Sequence, residues 1–562
     1  MSHYSKLGWA VLGLGVAGCG ALDQAHNEEE LGYIGEGIRK GSPGAATGQT
    51  DYCGTTVASK CVAGESDCDS NAECATGLIC GLDQGRWGYL PTYDVCQAAT
   101  CGNGVKDGTE TGIDCGGNCP ACTPKHVDSR VMGGAGYDQP RKVVALPDGS
   151  SIVASVFQGT ANYGGGALNS NGGSQDIALA RYSPTGAHVW SIRFGADLNE
   201  GDFDIGLAVN AAGTRVTVAT NFAHTIDFGG GITVTSLGSY DALLAQFNAT
   251  NGAIVWAKNF GGTMLDRFEG VTVDPADNII AVGAFQGTAA FGGGSLLSAG
   301  SDDMVAAKFT SAGVYQWSRR FGGTGSDYAR AVTVDRDNYV YYVGRYTTSI
   351  PFSTTTLTSA GSSDGFIAKF AGNGTTLAWA KSLGGASTDI ANAVAVDSLR
   401  RPVVVGYFKV AMTVDATTLT VPAGSADNAN VFTSAFNKDG SLRWLKQVGG
   451  TGSDTGEGVA VDSLTNDVAI VGRLHSASIP AFYPDGTAAT ATNAFETLVM
   501  RYHATTGGVM GAQHYSGASA WSVSTSQARL HVLTSVTGTA NFGGSALTSS
   551  GGTDTGLVRF GF

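Results

Sequence analysis

The sequence predicts an all-β protein: a seven-bladed β-propeller of four-stranded blades, preceded by a small disulfide-rich module. Three observations predict it. From residue 126 onward the chain repeats about every 62–68 residues, and a glycine closing an aromatic strand marks each unit, at Gly133, Gly195, Gly261, Gly322, Gly384, Gly449 and Gly517. Between markers come four short alternating runs, such as "EGVTVD", "NIIAVGAF", "DMVAAKF" and "VYQWSRRFGG" of the third unit. Alternation over so few residues between turn signals is the pattern of strands, and no sustained helical period interrupts it. The chain ends complete the count. The seventh unit stops at "GLVRFGF" after its third run, and "HVDSRVMGG" (126–134) aligns with "HVWSIRFGA" (188–196), Asp128 falling where the tryptophan stands. An N-terminal strand that completes the last blade closes the ring and removes its exposed edges.

The first residues contain "LGLGVAGCG" (12–20), with Gly13-x-Gly15-x-x-Gly18. A dinucleotide site needs a strand before such glycines and a helix after them. Here the chain has just begun, and little apolar sequence follows. Lys6, the apolar run from Leu7 to Gly18 and the small residues before Cys19 fit an export signal instead, and the run is too short to span a bilayer. Val16-Ala17-Gly18-Cys19 resembles the bacterial lipobox. That resemblance implies a lipoprotein signal peptide over 1–18, a lipid on Cys19 and an exported chain anchored in a membrane, the outer membrane or cell surface being expected. Two or more acyl chains suffice for stable anchoring.

Residues 19–52 read as a flexible acidic linker. The net charge is −14, and residues 20–122 carry −10 of it. Nucleic acid is therefore excluded as an expected partner, because phosphate binding needs a basic surface.

Residues 53–122 form the cysteine-rich module. Ten cysteines (Cys53, Cys61, Cys68, Cys74, Cys80, Cys96, Cys101, Cys115, Cys119 and Cys122) crowd into it, and none follows. In an exported chain this predicts five disulfides in place of a core, with the pairing open. Cys115-x3-Cys119-x2-Cys122 also has zinc-like spacing, but an oxidising compartment favours disulfides. "CGNGVKDGTETGIDCGGNCPAC" (101–122) resembles disulfide-rich modules of myxobacterial surface proteins. Asp107, Glu110 and Asp114, near Asn103, are the calcium candidates; their spacing is looser than an EF-type loop requires, and a solvated acidic loop is the preferred reading. No other cofactor or metal is expected.

The propeller spans 124–562. "FGGTGSDYARAVTVDRDNYVYYVGRY" (321–346) followed by "DGFIAKF" (364–370) resembles the SBBP β-propeller repeats, which implies the fold and extracytoplasmic placement but no activity. Unit two departs with the insertion "DLNEGDFD", and unit seven is read as having Trp521 where its loop acid belongs.

Two acid positions recur. One holds Asp176, Asp241, Asp303, Asp364, Asn430, Glu496 and Asp554, six residues before the aromatic end of the third strand. The other holds Asp138, Asp266, Asp327, Asp389 and Asp454, after the glycine pair. In an antiparallel meander both lie at the same end of the strands. Turn-holding acceptors are the preferred account, since repetition in every blade suits a structural role; a rim binding cations or basic ligands is the sharper alternative. Tryptophans 190, 256, 317, 379 and 444 recur once per unit. They bring to mind the "TG…W" motif of quinone-binding propellers, but the period differs and outer-strand packing explains them.

Catalytic signatures are missing: no histidine pair stands at metalloprotease spacing, and there is no G-x-S-x-G. Carboxylates are too plentiful to test for glycoside hydrolysis. The expected function is a membrane-anchored, monomeric binding or scaffolding platform for an extracytoplasmic protein or glycan. A carbohydrate-active enzyme using the long-loop face and an assembly factor for outer-membrane proteins are the alternatives; the known barrel-assembly lipoprotein is also an anchored propeller.

Overall fold

The computed structural model describes residues 124–562 apart from 202, 423–427, 481, 485, 492–495 and 562, together with the backbone of two strands, Leu78–Leu82 and Asp94–Ala98. The chain divides into a unit over residues 1–120 and a unit over 121–562. In the first, Leu78–Leu82 and Asp94–Ala98 pair antiparallel with Cys80 opposite Cys96. Cys19, the remaining eight cysteines of the module and the calcium candidates Asp107, Glu110 and Asp114 lie outside the described residues.

Seven four-stranded antiparallel sheets make the second unit a seven-bladed β-propeller. Blade 3 shows the plan, with Asp266–Val273, Ile279–Phe285, Asp303–Phe309 and Tyr315–Phe321 running outward from the central channel. Blade 7 is composite: Ala518–Ser526, Arg529–Ala540 and Leu547–Gly561 are completed by Lys125–Gly134. The ring therefore closes with the N-terminal strand outermost, as the alignment of 126–134 predicts.

The repeated residues hold neighbouring blades together. In blades 1, 2 and 3 a phenylalanine ends the fourth strand and enters the next blade: Phe194 packs on Phe247 at 5.5 Å, Phe260 on Phe309 at 4.8 Å, and Phe321 on Phe352 at 5.4 Å and on Phe370 at 5.1 Å; Leu383 and Val448 stand there in blades 4 and 5. Apolar side chains buried between blades supply most of the driving force for stacking them. Where the marker has a second glycine (Gly134, Gly262, Gly323, Gly385 and Gly450), that glycine receives a hairpin from the following blade, as where Gly262 pairs with Ala289 and Gly134 with Ala161. A methyl group there would overlap the hairpin's carbonyl, that of Thr288 over Gly262 and that of Thr160 over Gly134. Close backbone approach thus explains the glycine pair.

At the other end of the strands the tryptophans do the same work. The indole N–H of Trp190 donates to the Ala249 carbonyl (2.9 Å), and those of Trp379 and Trp444 donate to Lys438 and Ala504 (3.2 Å each). Each accepting residue lies in a turn of the next blade, whose glycine stacks on the ring, as Gly252 does on Trp190. At the closing boundary Asp128 stands in the tryptophan position. There Arg559 reaches across instead, donating to the Ser183 carbonyl at 2.8 Å.

Candidate functional site at the channel mouth

The recurring acids occupy one end of the blades, as expected: Asp138 is opposite Phe157, which is opposite Asp176. They are buried. Asp138, Asp176, Asp241, Asp266, Asp303, Asp327, Asp389, Asp454, Glu496 and Asp554 expose nothing, and Asp364 only 1%. Each first-strand acid accepts the N–H four residues earlier, at 2.7 Å for Gly134 to Asp138, 2.6 Å for Gly262 to Asp266, 2.7 Å for Gly323 to Asp327, 2.7 Å for Gly385 to Asp389 and 3.0 Å for Gly450 to Asp454. The third-strand acids fix their hairpin exits in the same way, Leu237 donating to Asp241 and Ala299 to Asp303 at 2.9 Å, and Ser550 to Asp554 at 2.6 Å. Glu496 pairs with His514. In the inserted segment of blade 2, Glu200 takes the acid's place, accepting the Ala196 N–H at 3.0 Å.

These acids meet in pairs across blade boundaries. A side chain on Gly133, between blades 7 and 1, would lie 2.7 Å from Asp554 and 2.8 Å from Asp138. Burial, then the facing acid, push the carboxyls up: Asp138, Asp266 and Asp389 to about 7 and Asp327 to about 6. Asp176, Asp241 and Asp554 are also raised, chiefly by burial.

Three residues after each first-strand acid the pairing slips, leaving one residue unpaired. These β-bulges present Arg141, Glu269, Arg330, Asn392, Glu457 and Trp521. The seventh unit is thereby corrected: Trp521 sits in the bulge, and the acid's position is taken by Ala518, because the loop after the single Gly517 is shorter than in the other units. Bulges re-aim side chains, and these turn to the channel. Arg330 of blade 4 feels Glu269, Asp204 and Glu457 of blades 3, 2 and 6, a set reachable only across the ring. Burial lowers its proton affinity, but these acids with Tyr407 outweigh that, so the guanidinium stays charged.

Blade 2 contributes through its insertion. Phe203 lies under the Arg267 guanidinium at 4.6 Å, and Asp204 is raised by burial and by Glu269, against the pull of Lys142 and Arg141. Aromatic rings and guanidinium groups alternate around the rim: Tyr328 stacks with Arg267 and Arg345, and Trp521 with Arg141 (5.7 Å) and Arg473 (4.8 Å). Below it the channel holds a cavity of about 260 Å³. Valines of the inner strands line it (Val143, Val271, Val332 and Val459 among them) with Gly206, Gly270 and Gly458 between them, and its charged lining residues are Lys142 and Arg330.

The sequence model of the SBBP β-propeller repeat matches residues 316–350. That segment covers the outer strand of blade 3 and the two inner strands of blade 4. No curated protein matches the chain. Among solved structures, a polysaccharide lyase is 10% identical over 78% of this chain and 99% of its own, with a TM-score of 0.44. The propeller domain of Cps50 (Swd1) from Myceliophteria thermophila is 10% identical over 78% and 99%, at 0.40. BamB from Moraxella catarrhalis is 12% identical over 78% and 100%, at 0.34. Similarities this distant carry no argument about chemistry.

Proposed function

We propose that this chain is an exported, membrane-anchored binding platform whose ligand engages the mouth of the propeller channel. One observation carries the reading: the bulge residues vary around the ring among arginine, glutamate, asparagine and tryptophan, while the residues that join the blades largely repeat. A structural position in a repeat protein keeps its residue, because every copy solves the same packing problem. A ligand without sevenfold symmetry needs a different group from each blade. Charged and aromatic side chains converging on one concave mouth are what a specific polar ligand requires. Probing glycan and protein arrays with the full chain and with Trp521→Ala tests the reading; a ligand retained in full by the variant places binding elsewhere.

A second reading, a carbohydrate-active enzyme, draws support from Asp204 and Glu269. Burial raises the proton affinity of Asp204, while Glu269 is ion-paired with Arg267 at 2.7 Å; two carboxyl groups in such different surroundings have the makings of an acid and base pair. Release of reducing ends from a polysaccharide, lost in Asp204→Asn, is its test.

A further inference from the structure

We propose that the ligand of the channel mouth is an acidic saccharide chain, bound with the carboxylate of a terminal sugar inside the channel between Lys142 and Arg330. The inference rests on the binding-platform reading and adds the chemistry of the ligand.

Three features point the same way. The first is the cavity's charge. Lys142 and Arg330 are its charged lining residues, on blades nearly opposite each other; Asp204 acts on both, and Glu269 and Glu457 on Arg330, from a distance, and neither cation has a carboxylate within ion-pair reach among the described residues. Arg330 has a 3.3 Å bond to the Asn392 side chain, while its buried Nε has no partner. A buried guanidinium donor left unpaired is costly, and a carboxylate is the partner whose geometry it matches.

The second is size. At about 260 Å³ the cavity lies below the roughly 300–1,000 Å³ of pockets that enclose whole drug-sized ligands. It admits one end group, and the rest of the ligand must lie on the rim.

The third is the rim. Asp204, Glu269 and Glu457 stand there, Glu269 ion-paired with Arg267 at 2.7 Å and Glu457 with Arg473; such pairs offer hydroxyl groups both donors and acceptors, and the acids oppose a polyanion such as nucleic acid. Phe203 of the blade 2 insertion is 47% exposed, and Trp521 of blade 7 is partly exposed. Aromatic faces bind the C–H faces of sugar rings. A chain rich in hydroxyls, with C–H faces and a carboxylate at its end, meets all three features. A peptide C-terminus offers the carboxylate but few hydroxyls for the rim acids.

The test is calorimetric titration of the full chain with an aldotriouronic acid (a single terminal glucuronate on two neutral xyloses), xylotriose, inorganic phosphate and an acidic tripeptide. The aldotriouronic acid should bind at least tenfold more tightly than the other three, and Arg330→Gln and Lys142→Gln should each remove that preference. The pair of variants guards against one failing to fold. Equal binding of xylotriose, or tighter binding of phosphate or tripeptide, abolished by Trp521→Ala, would overturn the acidic-saccharide inference and leave the platform reading standing. Binding of none of the four would overturn the inference, and the array result then decides the platform reading. Preference for the aldotriouronic acid kept in both variants would overturn the assignment to Lys142 and Arg330.

Discussion

Asp128 and Arg559, 431 residues apart, form a two-pronged ion pair: Arg559 Nε lies 3.0 and 2.9 Å from the two carboxylate oxygens, and Nη2 lies 2.8 Å from Oδ2. Arg559 is fully buried, and it also bonds the Ser183 carbonyl of blade 1. One guanidinium therefore joins the N-terminal strand, the C-terminal strand and the first blade. It stands at the third-strand position that holds Arg181 or Lys308 opposite a tryptophan in other blades.

Asp128→Ala should leave that guanidinium buried without its counter-ion, at a cost of about 3–5 kcal/mol. Asp128→Leu with Arg559→Leu should recover part of the loss, since a buried pair replaced by apolar groups is often tolerated. Urea denaturation of the two variants checks this; equal destabilisation would mean that the pair's mutual interaction is not what matters.

Truncation tests the same closure on a larger scale. A chain beginning at 136 exposes the edge of Leu547–Gly561 and should aggregate or melt well below one beginning at 124, because unpaired edges recruit other chains. Equal melting temperatures would remove the latch from the account.

Gly262→Ala should destabilise the blade 2–blade 3 boundary by about 1–3 kcal/mol, the usual cost of overpacking, because its methyl group would overlap the Thr288 carbonyl. Gly294→Ala is the control: nothing lies within 4 Å of its new methyl group, and its melting temperature should not move.

The cysteine-rich module has its own test. Directly opposed residues in an antiparallel pair bring their Cβ atoms to roughly 4.5–5.5 Å, so peptide mapping of the oxidised protein should find Cys80 linked to Cys96. Intact mass with and without alkylation should show all ten module cysteines paired. Recovery of Cys80 bound to another cysteine would discard the register.

The sequence exposed the joints of this fold and concealed its mouth, for physical reasons. Phe321, the glycine pairs and the acids repeat because every boundary is the same packing problem, and repetition is readable without coordinates. Asp128 was legible as a break in that repetition, although its partner Arg559 was not, since nothing in the alignment says which strand the break faces. Arg330 and Glu457 escaped notice because a bulge shifts one residue out of the strand's alternation, and unlike residues at equivalent positions leave no pattern to see. Trp521 was misplaced because unit seven lost a glycine, so counting from the marker landed in the bulge. The repeating acids are buried in the blade boundaries, with their hydrogen bonds directed at backbone N–H groups.

Those boundary acids set the pH dependence of stability. Asp138, Asp266, Asp327 and Asp389 are raised from 3.8 to between about 6 and 7, by burial first and by facing acids second. A carboxyl that holds its proton more tightly in the fold than in the unfolded chain stabilises the fold below pH 3.8, and that stability is lost as pH rises through 3.8 toward about 7. His531 opposes the trend: buried, bonded to Ser151 at 2.6 Å and near Arg559, it is lowered from 6.5 to about 3, so its contribution is lost as pH falls below 6.5. Four carboxyls outweigh one imidazole, and stability should fall between about pH 5 and pH 8. The blade 5–blade 6 boundary carries a natural version of the remedy. There Asn430 stands where the other blades have an acid, and with its amide turned so that the nitrogen faces the neighbouring acceptors it donates to the carbonyls of Ala429 (3.1 Å) and Gly450 (3.2 Å). A position facing carbonyl acceptors suits a group that carries hydrogen, an amide or a protonated acid. Asp241→Asn should accordingly stabilise the protein at pH 8, by about 1.4 kcal/mol for each tenfold change in proton affinity it relieves at Asp266, with a smaller effect at pH 5. Melting curves across that range decide it: a gain that is the same at both pH values would mean that the acids do not share their burden of charge.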